Sequence, residues 1–353
     1  MARISRTTDE TARDWATKNV SARNKDFTSA FATHFGITRA GAAPAIQRLE
    51  RQGYIIRSGS GTRPIFSQGP NRYLQSEYQL PGVDENQIWE RDFSPWLDMP
   101  ANIKNIVHYG FTEIVNNAND HSGGSILNVI AYQHDGIIAM AIIDDGIGIF
   151  RRISDVFNLP DIRLALLELS KGKLTSDPTR HSGEGLFFTS RAFDDFHLYG
   201  NGLEYSRVMN EGIQKLDKRI DPERLDPFPE TKGTTVFLSA DCDSKLELKT
   251  IFDQFTTGAP DDLSFDKTVV PVKLARLGQE NLLSRFQAKR LLSGIDRFKV
   301  VELDFSGISE IGQAFADEIF RVYSNAHPEI TITPLNTNPD VQRMINRVLS
   351  NTK

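Results

Sequence analysis

The segment Phe111–Gly124, FTEIVNNANDHSGG, places the tightest constraint on this chain. Ile103, Ile106, Val107, Phe111, Ile114 and Ala118 recur at helical spacing. They predict a packed helix that opens at Pro100, a residue suited to a first turn, and runs to about Asp120. At about 100° per residue, Glu113, Asn117 and Asp120 fall within about 60° of one another, beside the apolar stripe. A packed helix with such a polar edge needs something polar in front of it, because burying unpaired polar groups is costly. A hydrated Mg2+ carrying a phosphate chain meets that need. An amide oxygen completes an octahedral oxygen shell, and a carboxylate one turn earlier holds and deprotonates water.

Three further stretches follow in order. The apolar strand Ile137–Ile143 ends in Asp144-Asp145-Gly146-Ile147-Gly148, a D-x-G-x-G pattern. A carboxylate at a strand end accepts the exocyclic amine of adenine, and the glycines let the backbone approach a base closely. HSGEGLFFTSR sets Gly183-Glu184-Gly185-Leu186 at the opening of a helix, whose free N–H groups and dipole suit phosphates. KGTTVFL leads Gly233-Thr234-Thr235 into a strand over Thr234–Leu238, with a hydroxyl near the site. Each piece alone is weak, but all four stand in order within about 125 residues.

Together they resemble the N box and the three glycine boxes of the GHKL ATPases, the superfamily of gyrase, MutL, histidine kinases and anti-sigma-factor kinases. The resemblance covers roughly Pro100 to Ala240. It implies that ATP and Mg2+ are bound, with Asn117 as the metal ligand. Asp144 reads adenine in a pocket shaped by Gly146 and Gly148. Residues 150–181 form a lid. Ser182, Gly183, Gly185 and Leu186 contact phosphates through the backbone, and Thr234 closes the site. Glu113 matches the general base of the gyrase–MutL branch. Histidine kinases carry Asn there, but anti-sigma kinases also carry Glu, so hydrolysis and phosphotransfer both stay open.

The ends of the chain carry different signals. Residues 1–75 hold 12 Lys+Arg against 5 Asp+Glu, a balance of +7 that leaves −12 on the remainder. A basic head on an acidic body points to a nucleic-acid-facing module. In HFGITRAGAAPAIQRLERQGYI, Gly36 makes a turn, Thr38 caps a helix, and Ile46 and Leu49 share a buried face. YIIRSGSGTRPIFSQ then reads as a hairpin with Ser58-Gly59-Ser60-Gly61 at its tip. From Asp26 to Gln68 this order resembles a winged helix-turn-helix. The positions that would enter a major groove are Arg39, Ala40, Gly41, Ala42, Ala43 and Pro44. Only Arg39 offers a directional base contact, and Pro44 removes one helical N–H bond. Arg57 and Arg63, with Arg48 beside them, suit phosphates. DNA is one expected partner of this head; dimerisation or protein contact is its other use.

From about Ser264 to the end the chain alternates strand and helix: KTVVPVKL, NLLSRFQAKRLLSG, KVVELDFS, IGQAFADEIFRVYSNA, EITITPL and NPDVQRMINRVLS. That rhythm predicts a small α/β domain, and it resembles STAS domains. In their phosphorylated members a Ser opens the helix that follows VVELDFSGISEI. Here that helix begins Gly312-Gln313-Ala314-Phe315, so Gln313 or Ala314 stands in its place, with Ser306 and Ser309 ahead of it. The resemblance implies a domain that docks the ATPase or a protein partner.

The expected fold class is multidomain α/β. A winged helix-turn-helix spans 1–75, an ordered arm with Trp89 and Trp96 spans 76–99, a Bergerat-type α/β sandwich spans 100–245, and a STAS-like domain spans 246–353. Cys242 is the single cysteine, which excludes an intrachain disulfide and four-cysteine zinc sites. MARISRTTDETARDW has no apolar core of a secretory signal, and no apolar run nears the roughly 20 residues that span a bilayer. The expectation is a soluble, cytoplasmic protein with no membrane partner, for which a homodimer is open. None of the seven histidines sits in a phosphoacceptor context on a long helical hairpin. The gyrase and MutL members supply a lysine to the γ-phosphate from a transducer domain for which this chain shows no counterpart; Lys171, Lys173 or Arg180 of the expected lid could take that place, although lid charges are more often solvated. The expected function is a regulator that binds Mg-ATP and slowly hydrolyses it to switch the packing of head and tail. A serine/threonine protein kinase acting on a separate partner, and a nucleotide-binding scaffold without turnover, are the open alternatives.

Overall fold

The computed structural model describes residues 6–61, 63–174, 183–208, 232–258, 264–277 and 280–350. It is a mixed α/β structure with three sheets. The chain divides into two compact units, residues 1–148 with 193–246 and residues 149–192 with 247–353.

The first unit opens with helices α1 (Arg6–Asn19), α2 (Phe27–His34) and α3 (Arg39–Arg51), then a hairpin of β1 (Ile55–Ser60) and β2 (Arg63–Gln68). Their apolar faces share one core built around Ala16, Phe27, Phe31, Ile46, Leu49, Ile55 and Phe66. Trp15 of α1 lies edge-on to Phe31, with centroids 5.5 Å apart. Thr38 caps α3 by accepting from the Gly41 N–H at 3.0 Å. The hairpin tip is shifted from the expected Ser58–Gly61: Ser60 pairs with Arg63, so the ladder runs on to residue 60. The reason is Gly59. At φ +82° it sits where a Cβ would stand 2.8 Å from the Arg63 carbonyl oxygen, so this glycine serves a close cross-strand approach rather than the turn.

A six-stranded antiparallel sheet follows, in the order β3-β4-β5-β8-β6-β7. It comprises β3 (Arg72–Gln79), β4 (Ile126–His134), β5 (Ile137–Asp144), β6 (Asp195–Gly200), β7 (Leu203–Val208) and β8 (Thr234–Asp241). β3 is an edge strand in a region read from sequence as the end of the head and the start of an arm. β4 and β5 are joined by Asp135-Gly136 at φ +49° and +78°, a two-residue turn whose twist matches the strands. β6 and β7 are joined in the same way by Asn201-Gly202 at φ +50° and +73°. β5 and β8 are buried along nearly their whole length. The short helix α4 (Glu85–Ile88) continues into a wider turn at Trp89–Phe93, and both rings pack on Phe111. Phe111 belongs to α5 (Ala101–His121), which lies against β5 and β8.

The second unit contains α6 (Ile149–Val156), α7 (Ala165–Lys171), α8 (Gly185–Ala192) and α9 (Leu248–Asp253). It continues with β9 (Lys267–Pro271), α10 (Arg285–Leu292), β10 (Val300–Asp304), α11 (Gln313–Asp317), α12 (Ser324–Ala326), β11 (Thr331–Leu335) and α13 (Pro339–Ser350). The three strands are parallel, in the order β11-β10-β9, within the small α/β domain that the strand–helix alternation predicts. Phe187 and Phe188 of α8 pack edge-on or tilted against Phe252, Phe255 and Phe265. Ser284 and Gln287 close a capping box on α10.

Lys171 is not the solvated cation expected of a lid. It is 2% exposed, and its Nζ donates to Glu168 Oε1 and to the Ser293 carbonyl, each at 2.7 Å, and to the Arg290 carbonyl at 3.5 Å. Burial pulls this ammonium below its usual range, and the Glu168 carboxylate opposes the shift. Two of its acceptors are carbonyls at the C-terminal end of α10, where a cation also meets the negative end of the helix dipole. Removing one partner of a buried ion pair leaves the other uncompensated. We therefore expect Lys171→Met to cost about 3–5 kcal/mol, and Lys171→Met with Glu168→Leu to recover most of that loss. Urea midpoints of the three proteins measure this, and a loss below about 1 kcal/mol in the single variant would show that the pair does not hold this unit.

Candidate functional site

The five residues that run on from the end of β5, Asp144–Gly148, are tied down from four directions, all within the first unit. Asp144, 7% exposed, accepts at Oδ1 from the Gly146 N–H at 2.9 Å and from the Thr234 N–H at 3.2 Å. The Thr234 hydroxyl also bonds to this carboxyl. Desolvation raises the Asp144 pKa above its ordinary value, against the pull of these donors. Asp145 is exposed, and its Oδ1 accepts from the N–H groups of Ile126 and Ser125 at 2.8 and 2.6 Å, which hold its carboxyl below the usual range. The end of α5 forms the third side. Ser122 O accepts from Ile147 N at 2.9 Å, and a Cβ on Gly146 would stand 2.2 Å from that same oxygen. The tip of the β6–β7 hairpin forms the fourth, where Asn201 Nδ2 donates to Ile147 O at 2.9 Å.

Glycine is required at two further approaches. Gly148 has φ +84°, and a Cβ there would meet the Asn201 side chain at 2.4 Å. Gly233 has φ +107°, and a Cβ there would meet the Asp144 carbonyl oxygen at 2.0 Å. Both lie in the left-handed half of backbone space, which L side chains rarely enter. Gly233 thus lets the start of β8 and the end of β5 come into backbone contact beside one buried carboxylate.

Glu113 and Asn117 lie one turn apart on α5, half-buried, with Asp120 exposed beyond them. Gly183, Gly185 and Leu186 belong to the second unit. There the Leu174 N–H donates to the Gly183 carbonyl at 2.8 Å, α8 begins at Gly185, and Leu186 is buried. Ser182 and Arg180 lie outside the described residues. Lys173 Nζ donates to the Arg297 carbonyl at 2.9 Å and sits 4.8 Å from the centre of the Phe298 ring. In the head, Arg39, Arg57 and Arg63 are exposed. Arg48 is instead paired to Asp9 of α1 at 3.3 Å. Among the described residues no group of three or more His, Cys, Asp or Glu could hold a metal ion.

Sequence reasoning did not single out Ser122, Asp145 or Asn201. The signal for Asn201 was present: FHLYGNGLEYS alternates apolar and polar residues about an Asn-Gly pair, the strongest short-range mark of a hairpin.

A family model for a STAS-like domain of unknown function (DUF4325) matches residues 287–342, from within α10 to the first turn of α13. The C-terminal part of the chain is therefore STAS-like. No curated protein gave a significant match to this chain. No helix among the described residues is long and apolar enough to cross a membrane.

If Gly233 serves the backbone approach to Asp144, its replacement must do more than strain a turn. Gly123, at φ +64° with nothing near its missing Cβ, is the internal control. Gly123→Ala is expected to cost about 1–2 kcal/mol. Gly233→Ala adds a clash with backbone atoms and is expected to cost at least about 3 kcal/mol. Equal denaturation midpoints for the two variants would contradict the close approach.

Proposed function

We propose that residues 100–245 form a Bergerat-type nucleotide site of the GHKL kind, in a regulator whose head resembles a winged helix-turn-helix and whose tail is STAS-like. The observation that carries this reading is Asp144. Three donors approach its carboxylate, and a carboxylate offers about four acceptor positions, so one further donor is accommodated. The exocyclic amine of adenine is the ligand group that suits a buried acceptor flanked by Gly146 and Gly148. By the same reading Asn117 supplies an amide oxygen to Mg2+, and Glu113, one turn earlier, orients and deprotonates water. No acidic cluster is needed for the metal, because Mg2+ in nucleotide sites takes most of its oxygens from phosphates and water.

The STAS-like tail has no hydroxyl in the first turn of α11, which reads Gln313-Ala314-Phe315-Ala316. This supports a docking role rather than phosphate acceptance. Slow hydrolysis that resets a conformational state is the favoured output of the nucleotide site.

Millimolar Mg-ATP is expected to raise the melting temperature of the full chain, since a ligand that binds only the folded state stabilises it. Asp144→Ala removes the base acceptor and should abolish the shift. Glu113→Gln should retain the shift but lose free-phosphate release, because the amide keeps the shape without the basicity. Asn117→Ala should weaken only the Mg2+-dependent part. Incubation with γ-labelled ATP separates the alternatives: free phosphate supports hydrolysis, labelled protein supports a kinase, and neither supports a scaffold. An undiminished shift in Asp144→Ala would sink the adenine assignment.

For the head we propose DNA binding through phosphates, led by Arg39, Arg57 and Arg63. The exposed positions Ala40, Gly41, Ala43 and Pro44 offer almost no donors to base edges. Affinity should fall steeply with salt and vary little among duplexes. Arg57→Ala with Arg63→Ala should weaken every duplex alike and reduce the salt slope by about two. Arg48→Ala, which removes a cation already paired to Asp9, should change affinity little. A site preferred about a thousandfold over random sequence would contradict this.

A further inference from the structure

The β6–β7 turn uses its first residue for something other than turning. Gly200 pairs with Leu203, so Asn201 and Gly202 form the whole loop. Their backbone angles alone define the turn, and Gly or Asp at position 201 would allow the same geometry. The Asn201 side chain is directed instead at a segment more than fifty residues earlier in the chain. Its Nδ2 donates to Ile147 O at 2.9 Å, and its amide atoms stand 2.4–2.7 Å from the place a Gly148 Cβ would occupy. The amide therefore lies flat against Gly148. On the opposite side, Ile147 N donates to Ser122 O. Residue 147 is thus clamped at both its backbone groups, by the end of α5 and by the hairpin tip.

We infer that Asn201 is a positioning residue that sets the nucleobase selectivity of the site by fixing Gly146–Gly148 at one distance from the base. The inference rests on the proposed role of this loop as the adenine pocket. Asp144 is held by β5, Thr234 and Gly146, so its carboxylate keeps its place without Asn201. Ile147 and Gly148, the far side of the loop, have the hairpin tip as a support. Loosening that side widens the slot in which a base is oriented toward Asp144. Discrimination then falls, because the carboxylate favours an amine over a carbonyl only when the base is held in register.

ATP and ITP test this, since they differ at the base position where one carries an amine and the other a carbonyl. Dissociation constants of both, with Mg2+, are measured by calorimetry on the full chain. The wild type should prefer ATP. Asn201→Asp keeps the turn and the shape but cannot donate, and Asn201→Gly keeps only the turn. Each should lower the ATP-over-ITP ratio by about three- to tenfold, the worth of one hydrogen bond. Asp135→Gly, the same turn position in the β4–β5 hairpin, should leave the ratio unchanged. A merely structural Asn201 would lower the melting temperature and leave the ratio at the wild-type value, and that result overturns the inference alone. A wild type that binds neither nucleotide, or binds both equally, overturns the adenine reading and the inference together.

Discussion

One buried carboxylate organises the first unit. Asp144 sits at the end of a strand that is buried nearly throughout, so its charge is expensive unless donors surround it. The chain answers with backbone N–H groups rather than cations. The Gly146 N–H reaches back from the next turn, and the Thr234 N–H arrives from β8. The second bond requires β8 to lie directly beside β5, and it does, although some ninety residues separate them and β6 and β7 come between in sequence. Gly233 then becomes obligatory, because the start of β8 must pass over the Asp144 carbonyl oxygen. Strand order, a glycine and a loop conformation thus follow from satisfying one side chain.

The buried cation of the second unit is handled differently, and the contrast lies in what each group has left to offer. Lys171 has three N–H donors and three acceptors: Glu168, Ser293 and Arg290. It is saturated, enclosed and 2% exposed, so it has nothing left to give a ligand. Asp144, an acceptor only when ionised, has acceptor capacity beyond the three donors that reach it. The carboxylate is held in place with room for one further donor, whereas the ammonium is not. The same comparison explains why the lid-type role open to Lys171 in the sequence has no counterpart in its surroundings.

Much of this was legible from the residues, and the failures have physical causes. The strand–helix alternation of the tail announces a parallel sheet because each element must bury one face on the next. The stripe of α5 is visible because its polar edge interrupts an otherwise regular period. The hairpin tip lies beyond its expected place because Gly59 in SGSG has the composition of a turn, while its use is a close approach to Arg63 that only the paired strand reveals. Strand β3 hides among the polar residues of RYLQSEYQ, since an edge strand shows only part of its length to a core. The burial of Lys171 was invisible because its acceptors are two distant backbone carbonyls as well as Glu168. Asn201 needed the fold to disclose its partner, although its turn was written in the sequence.

The edge of the large sheet explains how the basic head is attached. An edge strand leaves a row of N–H groups without strand partners, which proteins must cover or risk pairing with other chains. Helix α1 covers them here with side chains. Thr17 Oγ1 accepts from the Tyr73 N–H at 3.3 Å, and Asp14 Oδ1 accepts from the Gln75 N–H at 3.0 Å. Tyr73 also enters the core that α1 shares with α2, α3 and the β1–β2 hairpin. Arg48 of α3 is tied back to Asp9 of the same helix. The helix that guards the sheet edge is therefore the helix that carries the head. The chain between them is strand rather than free linker, so the exposed face of α3 keeps a fixed orientation to the sheet that holds Asp144.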